Sequence, residues 1–143
     1  MATLTASRNT LQMGSDGTFK MSIPLKANAK VFKGGMVAID NTTGFGVVPT
    51  VATTLISAGV ALTDADNTGG SNGALSVDVI LEAGFLYDCS GQAQTALGRL
   101  VYFVDDHTVT VTSTGASIAG VCIGFVSATQ LWVFIGVPRT AGT

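Results

Sequence analysis

Apolar residues recur at every second position in this chain, in short runs that glycine, asparagine, aspartate or proline cut off. Phe19, Met21, Ile23 and Leu25 alternate with Lys20, Ser22, Pro24 and Lys26. Leu75, Val77, Val79 and Leu81 alternate in the same way with Ser76, Asp78 and Glu82. A period of two puts successive side chains on opposite faces, so each run is expected to be a half-buried strand. Pro24 cannot donate to a ladder, which sends the first strand to a sheet edge. Further strands are expected at Met36–Ile39, Phe45–Val48, Phe85–Tyr87 and Leu55–Leu62, the last interrupted by Gly59. Two hairpins are expected, Arg99–Val104 with Thr108–Thr112 and Val121–Val126 with Leu131–Val137. Asp40–Gly44 and Asp64–Gly73 have the chemistry of turns, because Asn and Asp bond their own backbone and Gly supplies positive φ. Gln92–Leu97, ended by Gly98, is the best candidate for a helical turn. About eight to ten short strands make an all-β fold, a small sandwich or barrel.

The length of 143 residues favours one domain. Residues 1–17 hold few apolar side chains and are expected to form an extended N-terminal arm. Residues 18–143 then form a single β domain. Charged residues make up 11% of the chain, against about 25% in an ordinary soluble domain. Hydrophobic residues make up 47% and mean hydropathy is +0.50. Such a chain has few solvated side chains with which to cover itself, so much of its surface is expected to be covered by other subunits.

The charges are unevenly placed. Residues 1–35 carry Arg8, Lys20, Lys26, Lys30 and Lys33 against Asp16 alone, whereas the remainder carries eight acids against Arg99 and Arg139. A basic N-terminal quarter on an acidic body suits docking to an acidic surface. The composition does not suit a nucleic-acid binder. The uncharged stretches Asn41–Thr63 and His107–Pro138 are broken by Gly, Pro or threonines, and neither is expected to cross a membrane. The polar start Met1-Ala-Thr-Leu-Thr5 lacks the design of an export signal. Cys89 and Cys122 make no disulfide framework and have no ligand spacing, as expected of free thiols in a reducing cytoplasm.

Two motifs imitate chemistry. Asp64-Ala-Asp66-Asn67-Thr68-Gly69 begins like a calcium loop, but the twelfth position is Leu75 where a glutamate is needed. It is expected to be a plain turn. Asp105-Asp106-His107 groups two carboxylates with the only histidine, yet consecutive residues at a hairpin tip are expected to point apart. They are expected to be a solvated turn. No nucleophile elbow, phosphate loop, zinc spacing or dinucleotide fingerprint is present. No catalytic residue, metal or cofactor is therefore expected. Leu131-Trp-Val-Phe-Ile135 is apolar at every position, which suits either a central strand buried on both faces or a strand whose Trp132 and Phe134 meet another subunit.

The run Ala29-Lys-Val-Phe-Lys-Gly-Gly-Met-Val-Ala-Ile-Asp40, with Thr43-Gly44 and Gly59-Val60-Ala61, resembles the decoration or cement proteins of tailed-phage capsids. So does Gly98-Arg-Leu-Val-Tyr-Phe-Val-Asp-Asp-His-Thr-Val109, followed by Ala119-Gly120 and Leu131-Trp-Val-Phe-Ile-Gly136. The resemblance spans residues 28–137. It implies a β-rich virion protein on the outer capsid surface, bridging capsomers of the major capsid protein as a trimer or dimer and reinforcing the shell. It assigns capsid binding to the arm, here residues 1–17 with Arg8, Leu11 and Met13, together with Lys20, Lys26 and Lys30. The subunit interface at Trp132 and Phe134 is expected from the apolar run itself. The family brings no cofactor, membrane or nucleic-acid partner. Two alternatives remain: a carbohydrate-binding β-sandwich module of a phage fibre or tail, and a self-assembling shell protein.

Overall fold

Phe19–Pro24 forms β1, and its alternation decides its place. Phe19, Met21 and Ile23 lie opposite Leu81, Val79 and Val77 of β7 (Ser76–Leu81) in an antiparallel ladder. β1 has no other strand neighbour and is an edge strand, as Pro24 requires. β7 pairs with β5 (Leu55–Ala61), β5 with β3 (Met36–Asp40), and β3 with β4 (Gly46–Val47), completing a five-stranded sheet in the order β1-β7-β5-β3-β4. A second five-stranded sheet has the order β10-β9-β11-β12-β8. It comprises β8 (Ala83–Asp88), β9 (Leu100–Phe103), β10 (Val109–Thr110), β11 (Ile118–Ser127) and β12 (Gln130–Ile135). A two-stranded ribbon pairs β2 (Lys30–Val31) with β6 (Ala65–Asp66). This computed structural model describes residues 19–136 and Ala6.

The fold is all-β and sandwich-like. Twelve strands occur among the described residues, more than sequence patterning indicates. The surplus consists of the two-residue strands β2, β4, β6 and β10, too short to carry an alternating signal. The helical turn expected at 92–97 is a single 3-10 turn, Gln94–Ala96. The hairpins β3–β4, β9–β10 and β11–β12 form as the turn residues indicate. Gly59 sits at φ +141 in β5 and lies so close to Ile80 that a Cβ would meet its carbonyl oxygen at 2.8 Å, which is why the strand tolerates only glycine there.

The strand expected at Phe85–Tyr87 begins earlier, at Ala83, and takes in Gly84. The break from β7 is Glu82, a non-glycine residue at φ +59, with its N–H donating to the Ile135 carbonyl. β7 ends in one sheet at Leu81 and β8 begins in the other at Ala83, so Glu82 is the corner.

Two cores result. Between the sheets, Met36, Ala38, Leu55 and Val60 pack with Tyr87, Val101, Phe103, Leu131, Val133 and Ile135. On the far face of the first sheet, Ile23, Val37, Ala58, Val77 and Val79 pack under Leu25, Val31 and Ala65, the last two from the ribbon. Each fully buried aliphatic side chain contributes roughly 1.5–3 kcal/mol. The first sheet is therefore covered on both faces. Among the described residues, the second is covered on one.

Candidate interaction surface

The outer face of the second sheet is apolar. Along β12, Leu131, Val133 and Ile135 are fully buried, while Trp132 and Phe134 point the other way. The strand is thus not buried on both faces, although it is central in its sheet and apolar at five consecutive positions. Trp132 lies directly opposite Leu86 of β8 and opposite Gly124 of β11. Its ring covers Gly124, where a Cβ would come within 3.0 Å of it. Phe134 lies opposite Gly84. The Ile123 Cδ1 reaches across to Gly84, at 2.9 Å from where a Cβ would stand. Glycine at 84 and 124 thus leaves room for the large side chains to lie flat across the sheet. Leu86, Ile123, Val126, Trp132 and Phe134 are each 37–51% exposed. Contiguous exposed apolar surface of this kind marks a site of protein contact.

Sequence reasoning selects Trp132 and Phe134 and misses Leu86, Ile123 and Val126. Leu86 follows from the period once β8 is placed. Ile123 and Val126 sit at two register shifts in β11, between Cys122 and Gly124 and between Phe125 and Ser127. An inserted residue changes which face its neighbours occupy, and simple alternation cannot show it.

Of the six residues assigned to the arm, Arg8, Leu11 and Met13 lie outside the described residues. Lys20 is exposed on β1. Lys26 is tied within the fold: its Nζ donates to Asp40 Oδ2 at 2.8 Å. That bond, with those donated by Thr42, holds the Asp40 carboxyl well below the usual range. Lys30 lies 3.8 Å from Asp66 and over the Phe32 ring.

The loop that imitates a calcium site uses its side chains internally. Asp64 accepts from the Lys33 N–H, and Asp66 accepts from the N–H and hydroxyl of Thr68, which lowers its pKa. Asn67 is buried and donates to the carbonyls of Lys26 and Ser71.

Asp105, Asp106 and His107 do not point apart. The His107 Nδ1 lies 2.8 Å from Asp106 Oδ1 and 3.1 Å from Asp105 Oδ1, because the turn folds tightly enough to bring neighbouring side chains together. The Asp106 bond, reinforced by Asp105 and Asp88, raises the His107 pKa. The same turn joins the sheets, since the Met36 N–H donates to the Asp106 carbonyl, and nearby the Tyr87 hydroxyl of β8 donates to the Gly34 carbonyl before β3. Burial, with Asp106 nearby, pushes the Tyr87 hydroxyl upward. Both cysteines are buried free thiols, and burial raises that of Cys89.

A cleft of about 300 Å³ opens where the sheets meet at the Glu82 corner. It is lined by Ser57, Glu82, residues 118–121, Phe134 and Gly136. Its Phe134 wall is continuous with the outer apolar face.

Comparison of the chain with protein-family models, with curated proteins and with solved structures finds no match.

Proposed function

We propose that this chain is a structural virion protein that decorates the outer surface of a tailed-phage capsid, bridging subunits of the major capsid protein as a homotrimer. One observation carries the partner-binding half of this reading. The fold covers the first sheet on both faces with its own residues, yet leaves Trp132, Phe134, Leu86 and Ile123 together on the outside of the second. A stable subunit contact buries about 800 Å² per partner, with aromatic anchors at its centre. The capsid as the partner rests on the sequence resemblance over residues 28–137.

The exposed Trp132 also favours a second reading, a sugar-binding platform, since aromatic faces stack on sugar rings. Its neighbours weigh against it. Leu86, Gly124 and Phe134 supply no side-chain hydrogen-bond donors or acceptors to fix a saccharide.

The test is co-sedimentation with expanded, emptied heads built of the major capsid protein. The wild type is expected to bind saturably, and Trp132→Ser with Phe134→Ser, which breaks the trimer and so its avidity, to bind at least ten-fold more weakly while remaining folded. Absence of wild-type binding would refute the capsid reading, and saturable glycan binding lost in the same variant would replace it.

A further inference from the structure

The second sheet ends at β8, whose ladder partner is β12, with Asp88 opposite Gln130 and Ala83 opposite Ile135. In the same register, the Cys89 N–H donates to the Thr129 carbonyl. Backbone groups alternate sides along a strand, so Ala83, Phe85 and Tyr87 face β12, while Gly84, Leu86 and Asp88 face away. Asp88 is taken, since its N–H donates to the His107 carbonyl. Gly84 and Leu86 are exposed and have no strand beside them among the described residues. An unpaired edge of this kind is a template for one further short strand.

The corner decides which segment reaches that edge. The Leu25 N–H donates to the Leu75 carbonyl, and the register of β1 on β7 puts Phe19 opposite Leu81. By the same alternation, the Leu81 carbonyl faces β1. The peptide joining Leu81 to Glu82 is trans, so its N–H points the opposite way, and it donates to Ile135 of β12. β1 and β12 therefore lie on opposite sides of the strand where it leaves one sheet for the other. The open edge of β8, on the side away from β12, continues the edge that β1 occupies on β7. Because β1 runs antiparallel to β7, the chain leading into Phe19 comes from the β8 side of the corner. Residues 1–18 precede Phe19, and about five residues, at about 3.3 Å each, reach the level of Leu86. In the continued register Gly17 falls opposite Ala83, where the segment has to follow the corner, and glycine suits such a bend.

We propose that residues 13–18 of the same chain, which lie outside the described residues, add a sixth strand to the second sheet by pairing with Gly84 and Leu86 of β8. A second copy is a poorer occupant. The open stretch is closed at one end by His107 and at the other by the entry to β1, whereas the chain's own segment is tethered beside it at high effective concentration. The added strand widens the outer apolar face without covering it. It also confines partner binding by the arm to residues 1–12, with Arg8 and Leu11. The inference is independent of what the outer face binds.

The test is amide hydrogen exchange in the full chain and in a variant lacking residues 2–17. The Gly84 and Leu86 amides are expected to exchange at least about ten-fold more slowly in the full chain, with Phe85 and Val133 unchanged. In the full chain, cross-strand NOEs should join the Gly84 and Leu86 amides to residues 13–18, and in a mixture of labelled and unlabelled copies they should arise within one chain. The variant carrying Trp132→Ser and Phe134→Ser should keep the protection, which separates this pairing from assembly through the outer face. Equal exchange in the full and truncated chains, NOEs arising only between copies, or protection lost in the double serine variant would overturn the proposal. Failure of the wild type to bind heads would refute the capsid reading and leave this one standing.

Discussion

Asn67 shows how one side chain can organise a loop that reads as featureless. Its amide nitrogen donates to the carbonyls of Lys26 and Ser71, and its backbone exchanges bonds with Asn28 and Ala29. The turn-rich stretch 64–73 is thereby pinned to the segment after β1. The turn was legible from its Asp, Asn and Gly. The burial of Asn67 was not, because an asparagine among turn residues ordinarily faces solvent. Asn67→Ala removes two side-chain hydrogen bonds, to carbonyls that each keep a backbone donor, and is expected to cost about 1–3 kcal/mol, read from denaturant midpoints. Gly120→Ala is expected to be at least as damaging, since a Cβ there would collide with the Phe134 carbonyl oxygen. His107 gives a pH signature. Its pKa is raised by Asp106 and Asp105, so the stabilisation is complete below the ordinary value of 6.5 and is lost as pH rises through the raised one. Its imidazole resonances should titrate with a midpoint above 6.5, and His107→Gln should remove that part of the stability–pH curve. The Lys26–Asp40 tie works in the opposite sense: present above pH 3.8, lost as pH falls towards the lowered value.

β12 is the element where periodicity and composition disagree. Five consecutive apolar residues suggest burial on both faces, yet the strand alternates strictly between core and outside. Composition could not separate these cases because the outer face is apolar too. Neighbouring positions should therefore behave differently. Leu131→Ala is expected to cost about 2–5 kcal/mol as a core cavity. Trp132→Ser, one residue on, should change monomer stability by only about 0.5 kcal/mol, as an exposed substitution does, while disrupting assembly. Equilibrium unfolding of both variants, at concentrations low enough to hold the chain monomeric, checks the contrast. The edge strand β1, the hairpins and the Gly59 interruption were legible because Pro, Gly and Asp act through local backbone geometry. The bulges of β11 and the Glu82 corner were not, because tertiary packing decides where a strand leaves its sheet.

At the scale of the molecule, the organising fact is unequal cover. A ribbon and its flanking residues close the far side of the first sheet, and nothing in residues 19–136 closes the far side of the second. A chain with 11% charged residues then presents Trp132, Phe134, Leu86 and Ile123 together to its surroundings. Low charge alone raises the expectation of assembly, but the exposed apolar face that this account assigns to it emerges only from the two sheets and their register. The most direct measurement is sedimentation velocity at micromolar concentration, comparing the wild type with a variant carrying Trp132→Ser and Phe134→Ser. The account predicts a wild-type trimer of the 14.5 kDa chain and a folded monomeric variant. A wild type that sediments only as a 14.5 kDa species, or a variant that assembles as the wild type does, would contradict it.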